Sequence, residues 1–543
     1  MDMGRLPRSS GNQKRGPQSV NVGNAESDGI YYVNASVGTP PQVLQLQLDT
    51  GSSDLWMFGS SLGDCSACLG GFFDPSQSST YQLLAPGAFQ IQYVTPGSGV
   101  IGDYISDNVS IGNIHLRNLT MAVASQAQQV VTGVMGIAFD ADEALVGQGY
   151  SPYPNIIDAM VQQGVIATRA YSLYLDDLEA NTGAILFGGY DTSKFIGDLT
   201  LLDIQPNTQQ GTLVSTFTVV WSLLTLTDNT GTTIVGTTTD YPLPAVLDSG
   251  TTLTYIPTSL LSPILTYFGA ISDNSSAYLV PCNISSLPGT LDFRFGSQQS
   301  GPIISVPFSE LAPPAYNTSG DPMTFTDGTA ACQFGLAAAD ETTPIIFGDT
   351  FLRSAYVVYD LDSLQIGIAN ANWNSSGRSN VVAITSNGTS GGGGGEGGYI
   401  SASSALGASV TQTATGGHAA PGAPGKTLGQ TVSHAAAGSF AGRVSALPGA
   451  KTSFGGVGGA HGLGSTVTTA PAGGGGSSAT GSGSGKISGS GSGTSGGSTA
   501  TATQKAAAAG GGGLPETGFF SSAALATVVS VITALFIVSF AIL

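Results

Sequence analysis

Two aspartates recur inside one short phrase. The first copy reads Leu44-Gln45-Leu46-Gln47-Leu48-Asp49-Thr50-Gly51-Ser52-Ser53, the second Ala245-Val246-Leu247-Asp248-Ser249-Gly250-Thr251-Thr252. A single copy would be noise in a chain this rich in Gly, Ser and Thr. Two copies about 200 residues apart, each ending a strand-like run, point to two related lobes that each give one carboxylate to a shared site. Two carboxylates held close together cannot both ionise easily, so one proton is shared over a wide acidic range. The ionised member can take a proton from a water held between them. The protonated member can donate to a substrate carbonyl, which amounts to amide hydrolysis without a covalent intermediate. The phrase suits this chemistry, because Gly allows a tight turn and the hydroxyls can fix the carboxylate oxygens. A glycoside hydrolase also works with two carboxylates and is the chemical alternative, although it does not usually carry this duplicated phrase.

The remaining inventory removes other chemistries. Between residues 28 and 372, His115 is the only His and Lys194 the only Lys. A Ser-His-Asp triad or a multi-His metal site would have to rest on His115, which lies in Ile114-His115-Leu116-Arg117 and reads as a strand-surface residue. The four cysteines fit two disulfides in an oxidising compartment, most simply Cys65–Cys68 and Cys282–Cys332, one in each lobe. Cys65-Ser66-Ala67-Cys68 as a redox pair would need a βαβ context, and as a zinc half-site further His or Cys ligands. Neither is visible. Paired cysteines leave no thiol nucleophile, and no Walker-type phosphate loop occurs. No metal or cofactor is expected.

The net charge is −19. Residues 28–372 carry Arg117, Arg169, Lys194, Arg294 and Arg353 against roughly thirty Asp and Glu. That balance excludes nucleic acid as a partner. It also suits acid, because few cations remain to repel one another once the carboxylates protonate. The folded domain is therefore expected to survive acid better than mild alkali.

The elements that must position the aspartates are mostly strands. Leu44, Leu46 and Leu48 alternate with Gln, and Phe89-Gln90-Ile91-Gln92-Tyr93 repeats the alternation before the turn cluster Thr95-Pro96-Gly97-Ser98-Gly99. Tyr171–Leu175 and Ala184–Phe187 are further strand candidates. Helical patterning is confined to the stretches around Asn155–Gln163 and Pro257–Phe268. Many short strands with Gly and Pro turns indicate an all-β architecture, here two β-lobes with a cleft between them, a usual place for a ligand.

The ends differ from this middle. Residues 1–27 are polar and read as a residual pro-segment or disordered N-terminus. They lack an apolar signal core, so a signal peptide and most of a pro-segment are expected to precede this chain, with Lys14-Arg15 as a dibasic processing site. Residues 373–513 are rich in Gly, Ser, Ala and Thr and cannot bury enough surface to offset their ordering entropy, which marks a stalk or linker. Residues 514–543, preceded by the small residues Ala506–Gly513, have the layout of a glycolipid-anchor signal: a short spacer, then an uncharged apolar tail from Phe519 to Leu543. A plain transmembrane helix is the alternative. Leu514-Pro515-Glu516-Thr517-Gly518 matches a bacterial sorting motif but lacks the basic tail that system expects. Sequons at Asn34, Asn108, Asn118, Asn274, Asn283, Asn317, Asn374 and Asn387 fit a secreted glycoprotein.

Beyond the aspartate phrases, the chain contains Tyr31-Tyr32-Val33, Val37-Gly38-Thr39-Pro40-Pro41-Gln42, Ser52-Ser53-Asp54-Leu55-Trp56, Gly133-Val134-Met135-Gly136-Ile137, Leu186-Phe187-Gly188-Gly189-Tyr190-Asp191 and Ile346-Phe347-Gly348-Asp349-Thr350-Phe351-Leu352-Arg353. In this order, over residues 28–372, the motifs resemble the pepsin-like aspartic proteases. With the stalk and anchor-like tail the chain is similar to the fungal cell-surface yapsin type. The resemblance implies a bilobal fold with an N-lobe of about residues 28–195 and a C-lobe of about 196–372. It implies Asp49 and Asp248 as catalytic dyad, Thr50 and Ser249 bonding across the lobes beneath it, and Ser52 and Thr251 supporting the outer carboxylate oxygens. Tyr93 would lie on a flap over the cleft with Trp56 as its hydrogen-bond partner. Polypeptides would be the substrates, pepstatin-like molecules inhibitors, a lipid anchor the membrane link, and the protein a monomer. The flap departs from many relatives in lacking Gly after Tyr93, and Pro96 should stiffen it. It also lacks an acid, so apolar or aromatic residues, rather than Lys or Arg, are expected around the cut. A cell-wall or adhesion protein on a protease scaffold without turnover is the competing reading, which loss of either aspartate would have favoured.

Overall fold

The computed structural model describes residues 16–25, 29–62, 68–93, 98–206, 214–272, 277–317, 321–340, 343–375, 378–385 and 400–401. Strand Gln42–Asp49 buries Leu44, Leu46 and Leu48 and exposes Val43 and Gln45, as period-two alternation requires. Gln47 breaks the alternation. It is buried because its side-chain amide donates to the Gly250 carbonyl of the other lobe at 3.0 Å. The strand runs antiparallel to Ile30–Val37 and parallel to Gly133–Gly136, with Asp49 opposite Gly136. The chain returns through Leu55–Phe58, antiparallel to Gly133–Gly136 and parallel to Ile114–Gln128.

The C-terminal half repeats the unit. Leu243–Leu247 runs antiparallel to Thr218–Asp228 and parallel to Ile346–Phe347. The return strand Thr254–Pro257 runs antiparallel to Ile346–Phe347 and parallel to Leu336–Ala339. In both halves a short apolar strand ending in Gly passes directly beside the aspartate loop. A Cβ on Gly136 would sit 2.7 Å from the Ser52 carbonyl oxygen, and one on Gly348 would sit 2.2 Å from that of Thr251. No side chain fits either place.

A further layer joins the halves. Gln18–Ala25, Thr182–Phe187, Ala170–Tyr174, Ala355–Asp360, Gln365–Ala371 and Phe195–Asp203 all belong to one large sheet. Val357 pairs with Leu173 and Gln18 with Phe187, so this sheet draws on both sides of the expected lobe boundary at 195/196. Two other expected boundaries are corrected. Residues 18–25 belong to the sheet rather than to the N-terminal tail: Val20 and Val22 are buried in the core, a two-residue alternation hidden among polar neighbours. The fold also continues past residue 372. Val381–Ala383 pairs with Gly189–Asp191, Ile384 is buried, and the Asp191 carboxylate accepts from Ser379 Oγ at 2.6 Å and Asn380 N at 2.9 Å.

The helices follow their end signals. Asn155 accepts from the amides of Ile157 and Asp158 while Asp158 accepts from Asn155 N, a capping box that starts helix Ile156–Gln162. Helix Thr258–Phe268 stops at Gly269, whose φ of 64° is left-handed. Cys282 and Cys332 are disulfide-bonded. Cys65 lies outside the described residues, so the expected Cys65–Cys68 pair cannot be placed. His115 is exposed and bonds Ser110 Oγ at 2.8 Å. Asn34, Asn118, Asn283 and Asn374 are exposed, Asn108 and Asn317 half-buried, and Asn274 and Asn387 fall outside the described residues. No helix among the described residues is long and apolar enough to cross a membrane; the C-terminal apolar run, and the expected stalk apart from residues 373–375, 378–385 and 400–401, lie outside them.

One buried ion pair fixes the base of the C-terminal half. Arg353 Nε donates to Glu310 Oε2 at 2.5 Å and Arg353 Nη2 to the Glu310 carbonyl at 2.8 Å, with side-chain exposures of 5% and 4%. Arg353→Met leaves the Glu310 charge buried without its cation and is expected to cost about 3–5 kcal/mol in denaturant unfolding. The double variant Arg353→Met/Glu310→Gln should recover much of that loss. An unfolding midpoint unchanged in the single variant would contradict the assignment.

Candidate active site

Asp49 and Asp248 end their strands facing each other across the halves, and both are buried. Their supports match atom for atom. Asp49 Oδ1 accepts from Gly51 N at 2.7 Å and Oδ2 from Ser52 Oγ at 2.5 Å. Asp248 Oδ1 accepts from Gly250 N at 2.7 Å and Oδ2 from Thr251 Oγ1 at 2.6 Å. Each inner oxygen is held by a backbone amide of its own loop and each outer oxygen by a hydroxyl.

The two glycines have a reason other than the tight turn expected from sequence, since neither adopts a positive φ. A Cβ on Gly51 would lie 2.5 Å from the Asp248 carboxylate, and one on Gly250 would lie 2.3 Å from Asp49 Oδ1. Each glycine is cut to fit the opposite aspartate. Thr50 and Ser249 lock the loops beneath. Thr50 Oγ1 donates to the Leu247 carbonyl at 3.0 Å and accepts from Ser249 N at 2.9 Å. Ser249 Oγ donates to the Leu48 carbonyl at 2.9 Å and accepts from Thr50 N at 3.3 Å.

Burial, then the neighbouring Asp248 charge and a hydrogen bond shared with it, hold the Asp49 carboxyl above the usual carboxylate range; the Ser52 hydroxyl and Gly51 amide pull the other way. The pair thus keeps a proton between its members well above the pH at which an isolated aspartate would lose it.

Strands Gln82–Gln92 and Gly99–Ile111 form a hairpin that carries Tyr93. Its tip, residues 94–97 with Pro96, lies outside the described residues. The Trp56 indole N–H donates to Tyr93 Oη at 2.9 Å. Trp56 is itself fixed by packing against Phe58 and Phe89, at ring-centroid distances of 5.4 and 6.1 Å. Burial, and then the Asp49 charge, keep the Tyr93 phenol protonated.

Several supporting residues were not singled out from sequence. Asp54, five residues past Asp49, accepts from Tyr104 Oη and Tyr153 Oη, each at 2.7 Å, and from Ala144 N at 2.8 Å. Glu143 accepts from Tyr153 N at 2.8 Å. Gln148 Nε2 reaches the Ala88 carbonyl at 3.2 Å, tying this segment to the hairpin. The signal for Asp54 was present: an acid between two apolar strand segments has to be buried, and therefore bonded. Glu143, Tyr104 and Tyr153 meet Asp54 only in three dimensions. Among the described residues no group of three or more His, Cys, Asp and Glu could hold a metal ion.

A family model described as eukaryotic aspartyl protease matches residues 30–371. The chain is 40% identical over 361 residues to a probable aspartic-type endopeptidase opsB of Aspergillus fumigatus, covering 65% of this chain and 70% of that one. It is 34% identical over 390 residues to secreted aspartic protease 6 of Candida albicans, covering 69% and 84%. The crystal structure of an aspartic proteinase from Irpex lacteus shares the fold at a TM-score of 0.52 and 20% identity, over 66% of this chain and 99% of that one.

Proposed function

The chain belongs to the eukaryotic aspartyl protease family, and from that premise we propose that Asp49 and Asp248 are the dyad with which it hydrolyses peptide bonds at acidic pH. The observation that carries the assignment is the matched support of two buried carboxyls by Gly51 and Ser52 on one side and Gly250 and Thr251 on the other. A water between them gives one proton to the ionised carboxyl as its oxygen attacks the substrate carbonyl carbon. The protonated carboxyl gives its proton to the carbonyl oxygen. When the C–N bond breaks, the amide nitrogen leaves with a proton from the dyad while a hydroxyl of the tetrahedral diol gives its own proton to the other carboxyl, so the dyad returns to one shared proton. Thr50 and Ser249 act by holding the two loops in register. Tyr93, braced by Trp56, covers the substrate and excludes water. Both aspartates are present and supported, and no observation favours a scaffold without turnover.

Apolar or aromatic residues flank the scissile bond in this reading. Asp142 is the acid that the segment beside the Asp49 loop brings towards the dyad. Burial, then the charges of Asp54, Asp49 and Asp248, hold its carboxyl well above the usual range, so at acidic pH it offers no anion to a Lys or Arg side chain. Cleavage of a peptide library is expected to centre on Phe, Leu, Tyr and Met. Dominant cleavage after Lys or Arg would reject this preference.

The enzyme is placed outside the cell. The secreted relative and the paired Cys282 and Cys332 support that reading. It works as a glycosylated monomer, tethered through the stalk by a glycolipid at its C-terminal segment, and it is inhibited by pepstatin. Hydrolysis at acidic pH with and without pepstatin, for wild type and Asp49→Asn, tests the dyad. Wild-type turnover that pepstatin stops and the variant lacks is the expected result.

A further inference from the structure

The bonds at the dyad itself are symmetric, but the bonds that cross between the halves are not. Thr50 and Ser249 form a matched pair. Two further crossing bonds have no counterpart among the described residues, and both involve the Asp248 loop. Gln47 Nε2 donates to the Gly250 carbonyl at 3.0 Å, and Thr252 Oγ1 donates to the Gly29 carbonyl at 2.6 Å. Two places before Asp248 stands Val246, which has no side-chain donor to offer the Gly51 carbonyl. Ser53 takes the place of Thr252 in the first phrase, and its hydroxyl stays in its own half, on the Phe139 carbonyl. The Asp248 loop is thus strapped to the N-terminal half, and the Asp49 loop is held within it.

We propose that Gln47 is a positioning residue of the active centre, whose amide reaches across the halves, fixes Gly250, and through it sets where the Asp248 carboxyl stands relative to Asp49. The proposal rests on the dyad reading above. Gly250 has to lack a side chain, because a Cβ there would meet Asp49 Oδ1. It is therefore the residue of its loop with the most backbone freedom. Yet its N–H is the donor that holds Asp248 Oδ1. Gln47 removes that freedom from the carbonyl side of the same residue. Its own place is rigid: it is 6% exposed, on a strand paired along both edges, with Tyr32 opposite on one side and Val134 on the other. Without the amide the Gly250 carbonyl loses its donor and the loop has a reason to turn towards water. Sharing one proton depends on the two carboxyls keeping their separation, so a small shift of this loop acts on the chemistry. The titratable groups beside position 47 are Tyr32, Asp49 two residues along the strand, and Asp248 two residues before Gly250.

The test is kcat and KM on one peptide, across pH, for wild type, Gln47→Leu and Gln47→Glu. Leu fills the space without a donor. A protonated Glu can donate to the Gly250 carbonyl, and an ionised one cannot. Thermal melts at about pH 4 check that both are folded. Gln47→Leu is expected to lower kcat by about 10-fold or more while KM stays within about 3-fold. Gln47→Glu should approach wild-type kcat at the acid end and decline towards the Leu variant as pH rises. A purely packing role would lower the melting temperature of both variants without this recovery in acid. Wild-type kcat in Gln47→Leu would overturn the proposal, and so would a raised KM with kcat unchanged, which would make Gln47 a substrate contact. Should Gln47→Leu fail to fold, Gln47→Glu decides alone: a kcat ratio to wild type that does not decline with pH overturns the proposal. Asp49→Asn runs in parallel: if it keeps its activity, the dyad reading has failed, not the reading of Gln47.

Discussion

Asp49→Asn is expected to lower kcat for peptide hydrolysis at acidic pH by about 10²–10⁴-fold, the range for loss of a positioned acid or base. The substitution leaves most of the site in place. The Asn carbonyl can still accept from Gly51 N, and the amide can donate to Ser52 Oγ, so the loops keep their geometry. What is lost is the shared proton. Asp248→Asn should be equally damaging, and the double variant little worse than either single one, because the two groups act as a unit. Initial rates on a quenched fluorescent peptide, with melting temperatures as a folding control, measure this. A single variant retaining wild-type kcat would remove Asp49 from the chemistry.

The second large effect is a fall in stability as pH rises. Glu143 is buried, and burial pushes its carboxyl from an ordinary value of 4.5 up to about 9, with the Tyr153 amide opposing and the Asp54 charge adding. Burial also raises Asp54 against its three hydrogen-bond donors. The folded state therefore binds more protons than the unfolded chain between about pH 4.5 and 9. Stability must fall with pH across that window: the contribution is whole below the lower limit and is lost by the upper one. Each pH unit costs up to about 1.4 kcal/mol per group. The melting temperature is expected to be highest near pH 4–5 and several degrees lower at about pH 8, and Glu143→Gln should flatten the decline while keeping the bond from Tyr153 N. Parallel curves for wild type and variant, or a wild-type maximum at about pH 8, would sink this account. The scarcity of cations, visible in the sequence, predicts tolerance of acid. The buried acids predict the cost of leaving it.

Sequence carried the centre of the site and lost its surroundings for identifiable reasons. Each aspartate and its hydroxyl partners lie within a few residues of one another, so composition and spacing could reveal them. Trp56 and Tyr93 followed from the resemblance, and the packing of Trp56 on Phe58 and Phe89 shows how the contact is held. The purpose of Gly51 and Gly250 was not readable locally, because the atoms that exclude a side chain belong to the other half of the molecule. Gln47 looked like a solvent-facing strand residue for the same reason. Val20 and Val22 are too few, among Asn, Ser and Gly, to announce a strand that forms between Thr182–Phe187 and Ile30–Val37. Glu143 reads as a surface acid until Tyr153 and Asp54 are seen beside it.

The pairing of Val381–Ala383 with Gly189–Asp191 has a mechanical meaning. Tension on the chain beyond Ser401 meets the pairing of Ile400–Ser401 with Thr200 and Leu201 first and Val381–Ala383 next, where the Asp191 carboxylate takes Ser379 and Asn380 and the Gly188 carbonyl takes Ile384 N at 2.9 Å. From there the load passes through Gly188 into Thr182–Phe187 and the sheet shared by both halves. Neither aspartate loop lies on that route. A pull on the tail peels an edge before it reaches the two carboxyls.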